Sequence, residues 1–122
     1  MSQGYTFPAR LRLKSRKQIE QLFEEPASRF SHPLLIKYRS TQGDLFFNIA
    51  DPQLAISVSK RTFKLASDRN LLKRRIREAY RLHWSSYLSG KPLSLMFIYV
   101  GKTKLSYLEI EKAMIRLLKA IQ

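Results

Sequence analysis

The sequence predicts an α+β fold, a single domain over residues 1–122 with its elements in the order αβββαβα around a four-stranded sheet. Three observations carry that expectation. Capping-box pairs stand at Ser15/Gln18 and Ser106/Glu109, each followed by apolar residues at helical spacing. Four β-like runs lie between them, at 33–39, 45–50, 54–60 and 93–100. A longer segment with one apolar stripe separates the third run from the fourth. A chain of 122 residues suits one hydrophobic core rather than two.

Each element has its own local cause. After Ser15, Ile19, Leu22 and Phe23 give a short helix one apolar face, and Pro26 helps end it. Gly43-Asp44 and Asp51-Pro52 supply turns between the first three strands. In the third strand Leu54, Ile56 and Val58 alternate with Ala55, Ser57 and Ser59, the two-residue period of a half-buried strand. The long helix runs from Asp68 to about Tyr87, with Ser67 or Asp68 as the expected N-cap and Gly90 and Pro92 as the stop. The run 93–100 is almost uniformly apolar, as a central strand requires. The last helix presents Leu108, Ala113, Met114, Leu117, Leu118 and Ile121.

Composition then narrows function. With 23 Lys+Arg against 9 Asp+Glu, the chain carries a net charge of +14, a self-repulsion most simply explained by a polyanionic partner. The charge is concentrated: residues 60–81 hold nine basic residues and two acidic ones, half of the surplus. On a helical projection Arg69, Asn70, Lys73, Arg74, Arg77 and Arg81 share one face, while Leu72, Ile76, Ala79, Tyr80 and His83 form the opposite stripe. A solvated salt-bridge face would interleave acids. Here only Glu78 lies near the array. Cations spaced about 5–6 Å apart suit a row of phosphates, and arginine adds two-pronged bonding to phosphate oxygens.

Other chemistries find little support. The absence of cysteine removes disulfide frameworks, thiolate zinc sites and cysteine nucleophiles, and fits a reducing compartment, so a cytoplasmic location is expected. The opening residues lack a signal-peptide apolar core, and the run 93–100 is too short to span a bilayer, so no membrane partner is expected. His32 and His83 are isolated and read as structural, so no metal site is expected. The nine acids are scattered, whereas two-metal nuclease chemistry needs converging carboxylates, so no protein-borne catalytic residues are expected. Trp84 lies beside the cationic face, and packing and RNA contact are both open to it.

Ser57-Val58-Ser59-Lys60-Arg61, followed by the run from Arg69-Asn70 through Lys73-Arg74 to Arg77-Glu78 and Tyr80-Arg81, resembles the signature of the bacterial ribonuclease P protein subunit. Upstream, Arg10-Leu11 or Arg12-Leu13 with Ile19 and Phe23 matches the family's opening stretch. The resemblance implies an α-β sandwich with a left-handed βαβ crossover, against the usual hand. It implies a subunit that binds the catalytic ribonuclease P RNA and precursor tRNA and assists removal of the 5′ leader. The hydrolysis would belong to the RNA with bound Mg²⁺, with no organic cofactor and no obligate protein partner.

Carried over residue by residue, Arg69, Asn70, Lys73, Arg74 and Arg77 correspond to the family's basic helix, with Arg81 on the same face, and Lys60 and Arg61 to the pair after the third strand. Ile19, Phe23, Tyr38 and Ser57 correspond to the leader cleft, where flat apolar faces stack bases and nearby cations hold the backbone. Three departures stand out: Leu71 replaces an arginine, with Arg75 as a partial substitute; the loop 62–68 is longer and lacks glycine; and Ile19 replaces an aromatic. The alternatives are another basic RNA-binding protein, such as a ribosomal or assembly factor, or a DNA-binding architectural module.

Overall fold

The computed structural model describes residues 11–41 and 51–122. Its elements are α1 (Arg16–Phe23), β1 (Ser28–Ser31), β2 (Leu34–Ser40), β3 (Gln53–Val58), α2 (Ala66–Leu88), β4 (Leu93–Tyr99) and α3 (Tyr107–Ile121). The order αβββαβα is the expected one, but its strands are not all the expected ones. The run 45–50 lies outside the described residues. The first strand is instead Ser28–Ser31, which pairs antiparallel with β2. Its sequence, Ser-Arg-Phe-Ser, holds one apolar residue, so its strand character comes from backbone pairing to β2 rather than from side-chain burial.

The sheet order is β1-β2-β4-β3, with β4 antiparallel to β2 and parallel to β3. The register sorts the side chains into two layers. Leu34, Ile36 and Tyr38 stand level with Tyr99, Phe97 and Leu95, and these with Val58, Ile56 and Leu54. That face carries the main core, closed by Leu72, Ile76, Ala79 and Tyr80 of α2 and Ile110, Ala113, Met114, Leu117 and Leu118 of α3. The opposite face presents Met96, Ile98 and Ala55 to Leu13 and to Ile19 and Leu22 on the apolar side of α1. β4 is apolar on both sides because both are covered. Each fully buried large side chain, such as Phe97 or Ile76, contributes roughly 1.5–3 kcal/mol.

The helix ends follow local rules, with one exception. The Ser15 hydroxyl accepts from the Gln18 amide at 3.4 Å, and the Ser106 hydroxyl from the Glu109 amide at 3.3 Å. α2 departs from expectation: it starts at Ala66 behind Leu65, which offers no side-chain cap. Asp68 falls inside the first turn instead, where its carboxylate faces the positive helix end and pairs with Lys104 at 3.0 Å. Gly90 takes φ +76° beyond the other end of α2, a left-handed conformation that disfavours a side chain, and its amide donates to Asp51 Oδ1 at 3.1 Å.

α1 is fastened from the sheet. Lys37 of β2 lies on the α1 side, and its Nζ donates to the Phe23 carbonyl at 2.7 Å and the Glu25 carbonyl at 3.3 Å. A cation at a helix C-terminus satisfies orphan carbonyls and opposes the dipole. α2 and α3 are joined by His83, whose Nε2 lies 2.9 Å from Glu111 Oε2, while the Tyr107 hydroxyl donates to the same oxygen at 3.4 Å. Trp84 stacks on Tyr80 at 6.3 Å and packs against the core, which assigns it a packing role.

Two outcomes test this packing. Lys37→Met keeps the stem and removes the ammonium, and urea denaturation should show a loss of about 1 kcal/mol. The second concerns tyrosine. Burial, then the Glu111 charge, pushes the Tyr107 hydroxyl up to about 12, and burial raises Tyr99 and Tyr80 as well. A raised folded-state value means the stabilisation is complete below the ordinary value near 10 and is lost as the pH climbs through the folded one. Stability should therefore decline above about pH 10, and a 295 nm titration should show these three of the 6 tyrosines ionising late. Ionisation of Tyr80, Tyr99 and Tyr107 at the ordinary value near 10 would contradict the packing.

Candidate nucleic-acid interface

The cationic side of α2 exists because its other side is docked. Leu72, Ile76, Ala79 and Tyr80 are fully buried, which fixes the rotation of the helix and turns the basic residues outward. Along this face the arginines divide into two kinds. Arg69 does not project freely: its Nη1 donates to the carbonyls of Phe63 at 2.8 Å and Lys64 at 3.0 Å, clasping the loop before α2. Arg81 is ion-paired with Glu78 one turn back. Arg75, the expected substitute for a missing arginine, donates to the Leu105 carbonyl at 2.6 Å and so holds the loop before α3. Leu71 is half-buried.

Asn70 and Arg74 are exposed, and Lys73 and Arg77 turn toward the sheet edge. There they line an open cleft of about 360 Å³ together with Arg12, Leu13, Ile19, Leu54, Ala55 and Ile56. The cleft has cationic walls, an apolar floor and no carboxylate among its lining residues. Burial lowers the pKa of Arg77, and the neighbouring charges of Arg12 and Arg74 lower it further, so three guanidinium groups crowd one place. Like charges gathered in this way make the local potential positive.

The remaining expected residues surround this cleft unequally. Lys60 and Arg61 are exposed in the turn after β3, where the Arg61 amide donates to Ser59 Oγ at 3.1 Å. The following loop lacks glycine, but Phe63 anchors it, buried with its ring edge-on to Tyr99 at 5.7 Å. Ile19 lines the cleft, Phe23 is 48% exposed at the end of α1, and Ser57 stands level with Ile98 on the α1 face.

Tyr38 is a correction. It pairs with Leu95 on the opposite face of the sheet and packs against the main core, so the sheet itself separates it from the α1 groove. The period of two sends Leu34, Ile36 and Tyr38 to one side together. Lys37, level with Met96, faces the groove instead. Alternation within 34–38 was the signal that could have found Lys37. Arg12 joins the cleft through pairing with a distant strand, which no local pattern announces.

Chemically, this surface is equipped to hold a polyanion. Among the described residues no three His, Asp or Glu side chains gather as a metal-ligating group, and no helix is long and apolar enough to cross a membrane.

Comparison with known proteins agrees with the geometry. The Ribonuclease P family model matches residues 7–122. The ribonuclease P protein component of Buchnera aphidicola is 28% identical over 109 residues, covering 89% of this chain and 86% of that one. That of Vibrio cholerae is 34% identical over 79 residues, covering 65% and 62%. Among solved structures, the RNase P protein of Staphylococcus aureus aligns with a TM-score of 0.74 at 23% identity, over 92% of this chain and 95% of that chain. The Thermotoga maritima protein gives 0.73 at 22%, over 91% and 97%. These likenesses show the same fold, and the family match spans nearly all of the sequence: the chain belongs to the ribonuclease P protein family.

Proposed function

We propose that this chain is the protein subunit of bacterial ribonuclease P, binding the catalytic RNA and the 5′ leader of precursor tRNA while the RNA, with Mg²⁺, carries out the hydrolysis. One observation carries the reading: the cleft between α1, the β3 edge and α2 joins an apolar floor to walls of Arg12, Lys73 and Arg77, with no acid among its lining residues. Apolar surface beside cations is what an unpaired RNA strand requires, with bases against the floor and phosphates against the walls. A rigid duplex would need a continuous cationic groove and no apolar floor.

The outer residues extend the same surface. Arg74 and Asn70 on α2, with Lys60 and Arg61 after β3, present exposed donors to a structured RNA. Arg69, Arg75 and Arg81 serve it indirectly, by holding the loops and helix turns from which the exposed residues project. The protein thus contributes binding and orientation. Positioning of this kind lowers a barrier by preorganising the reactants, with no proton or electron moved by the protein.

Two measurements test the reading. Arg74→Ala combined with Arg77→Ala removes two charge-assisted contacts at roughly 1.5 kcal/mol each, so affinity for ribonuclease P RNA or precursor tRNA should fall on the order of 100-fold. Cleavage by the reconstituted holoenzyme at low magnesium should slow in parallel, and unchanged cleavage would contradict the assignment. RNA recovered with the purified protein should be ribonuclease P RNA; ribosomal RNA or DNA would favour a different basic binding protein. Secondly, Lys60, Arg61, Lys73, Arg74 and Arg77 together neutralise about five phosphates, predicting a log–log salt slope of roughly −3.5 to −4.5. A flat response would remove the phosphate array from the account.

A further inference from the structure

A cationic stripe separate from the α2 surface runs along α3. Past its first turns, which hold Glu109 and Glu111, the helix carries no acid as far as Gln122. Lys112, Arg116 and Lys119 follow at i, i+4 and i+7, so they share one face over roughly 10 Å of helix. Ile110, Ala113, Met114, Leu117 and Leu118 bury the other side in the main core, which turns the three cations to solvent. Both acids are engaged elsewhere: the Glu109 carboxylate lies 3.4 Å from the Ser106 hydroxyl, and that of Glu111 faces His83 of α2. The sheet adds a fourth charge. Arg29 of β1 stands level with Ile36, hence on the α3 side, and is exposed. None of these four cations has a hydrogen-bonding or ionic partner among the described residues.

We propose that Lys112, Arg116 and Lys119, with Arg29 on the neighbouring strand, form a second RNA-binding surface, which takes the phosphate backbone of a double-helical segment distinct from the RNA held by α2. It uses no residue of the leader cleft. The inference rests on the RNA-binding reading of α2 for its choice of partner: a protein already seated on a folded RNA meets further duplex at high effective concentration. Topology separates the two surfaces. β1 and β3 are opposite edges of the sheet, α3 packs over β1 and β2, and α2 packs over β3. Three strand spacings of about 4.8 Å lie between the edges, so a single strand in the α1 groove does not reach α3. Chemistry distinguishes them as well. The α3 stripe has no aromatic ring on which a base could stack, whereas a duplex backbone asks only for charge at regular spacing. Of the three α3 cations only Lys119, in the last turn, is accounted for by the helix dipole. Lys112 and Arg116 stand where an interleaved acid would relieve them, and none is present.

The test uses the full chain with ribonuclease P RNA. Three contacts from α3 add to those of the α2 surface, so the log–log salt slope should be steeper by about 2–3 than the α2 surface alone gives. Lys112→Gln with Arg116→Gln and Lys119→Gln should remove that excess and weaken binding on the order of 10- to 100-fold. Lys112→Arg with Arg116→Lys and Lys119→Arg keeps the charges and should bind as the unmodified protein does. Thermal unfolding of the glutamine variant should be unchanged, because exposed charges without partners contribute little to stability. Location is read separately. The chain has no cysteine, so Ala120→Cys beside the stripe and Ser67→Cys at the start of α2 each give one attachment point for an iron chelate that cuts nearby RNA. The probe at position 120 should cut a double-helical segment that the probe at position 67 leaves intact. An unchanged slope in the glutamine variant, no cutting from position 120, or cuts shared by the two probes would overturn the inference. Loss of binding to phosphatidylglycerol vesicles with RNA affinity unchanged would assign the stripe to an anionic membrane surface instead. If Arg74→Ala with Arg77→Ala leaves RNA affinity unchanged, the proposed function fails; failure of the α3 measurements alone leaves that function standing.

Discussion

The structure depends on the seating of α2. Leu72, Ile76, Ala79 and Tyr80 occupy the main core with no exposed surface, between the sheet and α3. That burial fixes the helix in rotation as well as in position. Like charges at i, i+3 and i+4 oppose helix formation by a few tenths of a kcal/mol per pair, whereas four buried side chains contribute several kcal/mol. The apolar stripe therefore wins, and the repulsion is tolerated as a standing feature of the folded state. Most helical stability in proteins has this origin, in tertiary packing of one face. Here the consequence is functional, because the face that packing leaves outside is the one that carries the charge.

Much of this was legible in the sequence. Spacing of three and four residues exposed the two sides of α2, the capping serines located α1 and α3, and the uninterrupted apolar run of β4 announced a strand covered on both faces. The charge run named the class of partner. Less accessible was whatever depended on partners far apart in sequence. β1 is a strand because β2 lies beside it, although Ser-Arg-Phe-Ser has little strand character of its own. Leu65, with no capping side chain, precedes α2 in place of Ser67 or Asp68, because the loop is fixed by buried Phe63 and the Arg69 clasp. Tyr38 lies on the core face and not in the groove, because an aromatic in a strand suggests stacking only until the register shows which side it occupies.

The candidate site was readable in outline and not in its division of labour. Sequence presents six polar or basic residues on one helix face as equivalents, and the structure separates them. Arg69 and Arg81 have their guanidinium groups bonded within the protein, while Asn70 and Arg74 are exposed and Lys73 and Arg77 border the cleft. A guanidinium carries five donors in a rigid fork. A bond from Arg69 to two loop carbonyls therefore fixes the loop without using all of its donors. Motif position alone cannot tell a contact from a clamp, because both demand the same side chain.

That distinction bears on why the loops around α2 are tied down so heavily. The Tyr99 hydroxyl donates to the Thr103 carbonyl at 2.6 Å and accepts from the Leu105 amide at 3.0 Å, while Arg75 holds the Leu105 carbonyl and Lys104 pairs with Asp68. Arg69 and Phe63 fix the loop that follows β3. These bonds converge on the end of the sheet where β3 and β4 deliver their C-termini and α2 begins. Loops left mobile there would lose entropy on meeting an RNA, and that loss would subtract from the binding free energy. Neutral carbonyls held by internal cations keep Lys60 and Arg61 on a fixed platform beside the α2 face. The basic surplus thus serves two purposes: part of it faces outward toward a polyanion, and part is turned inward to hold the outward part in place.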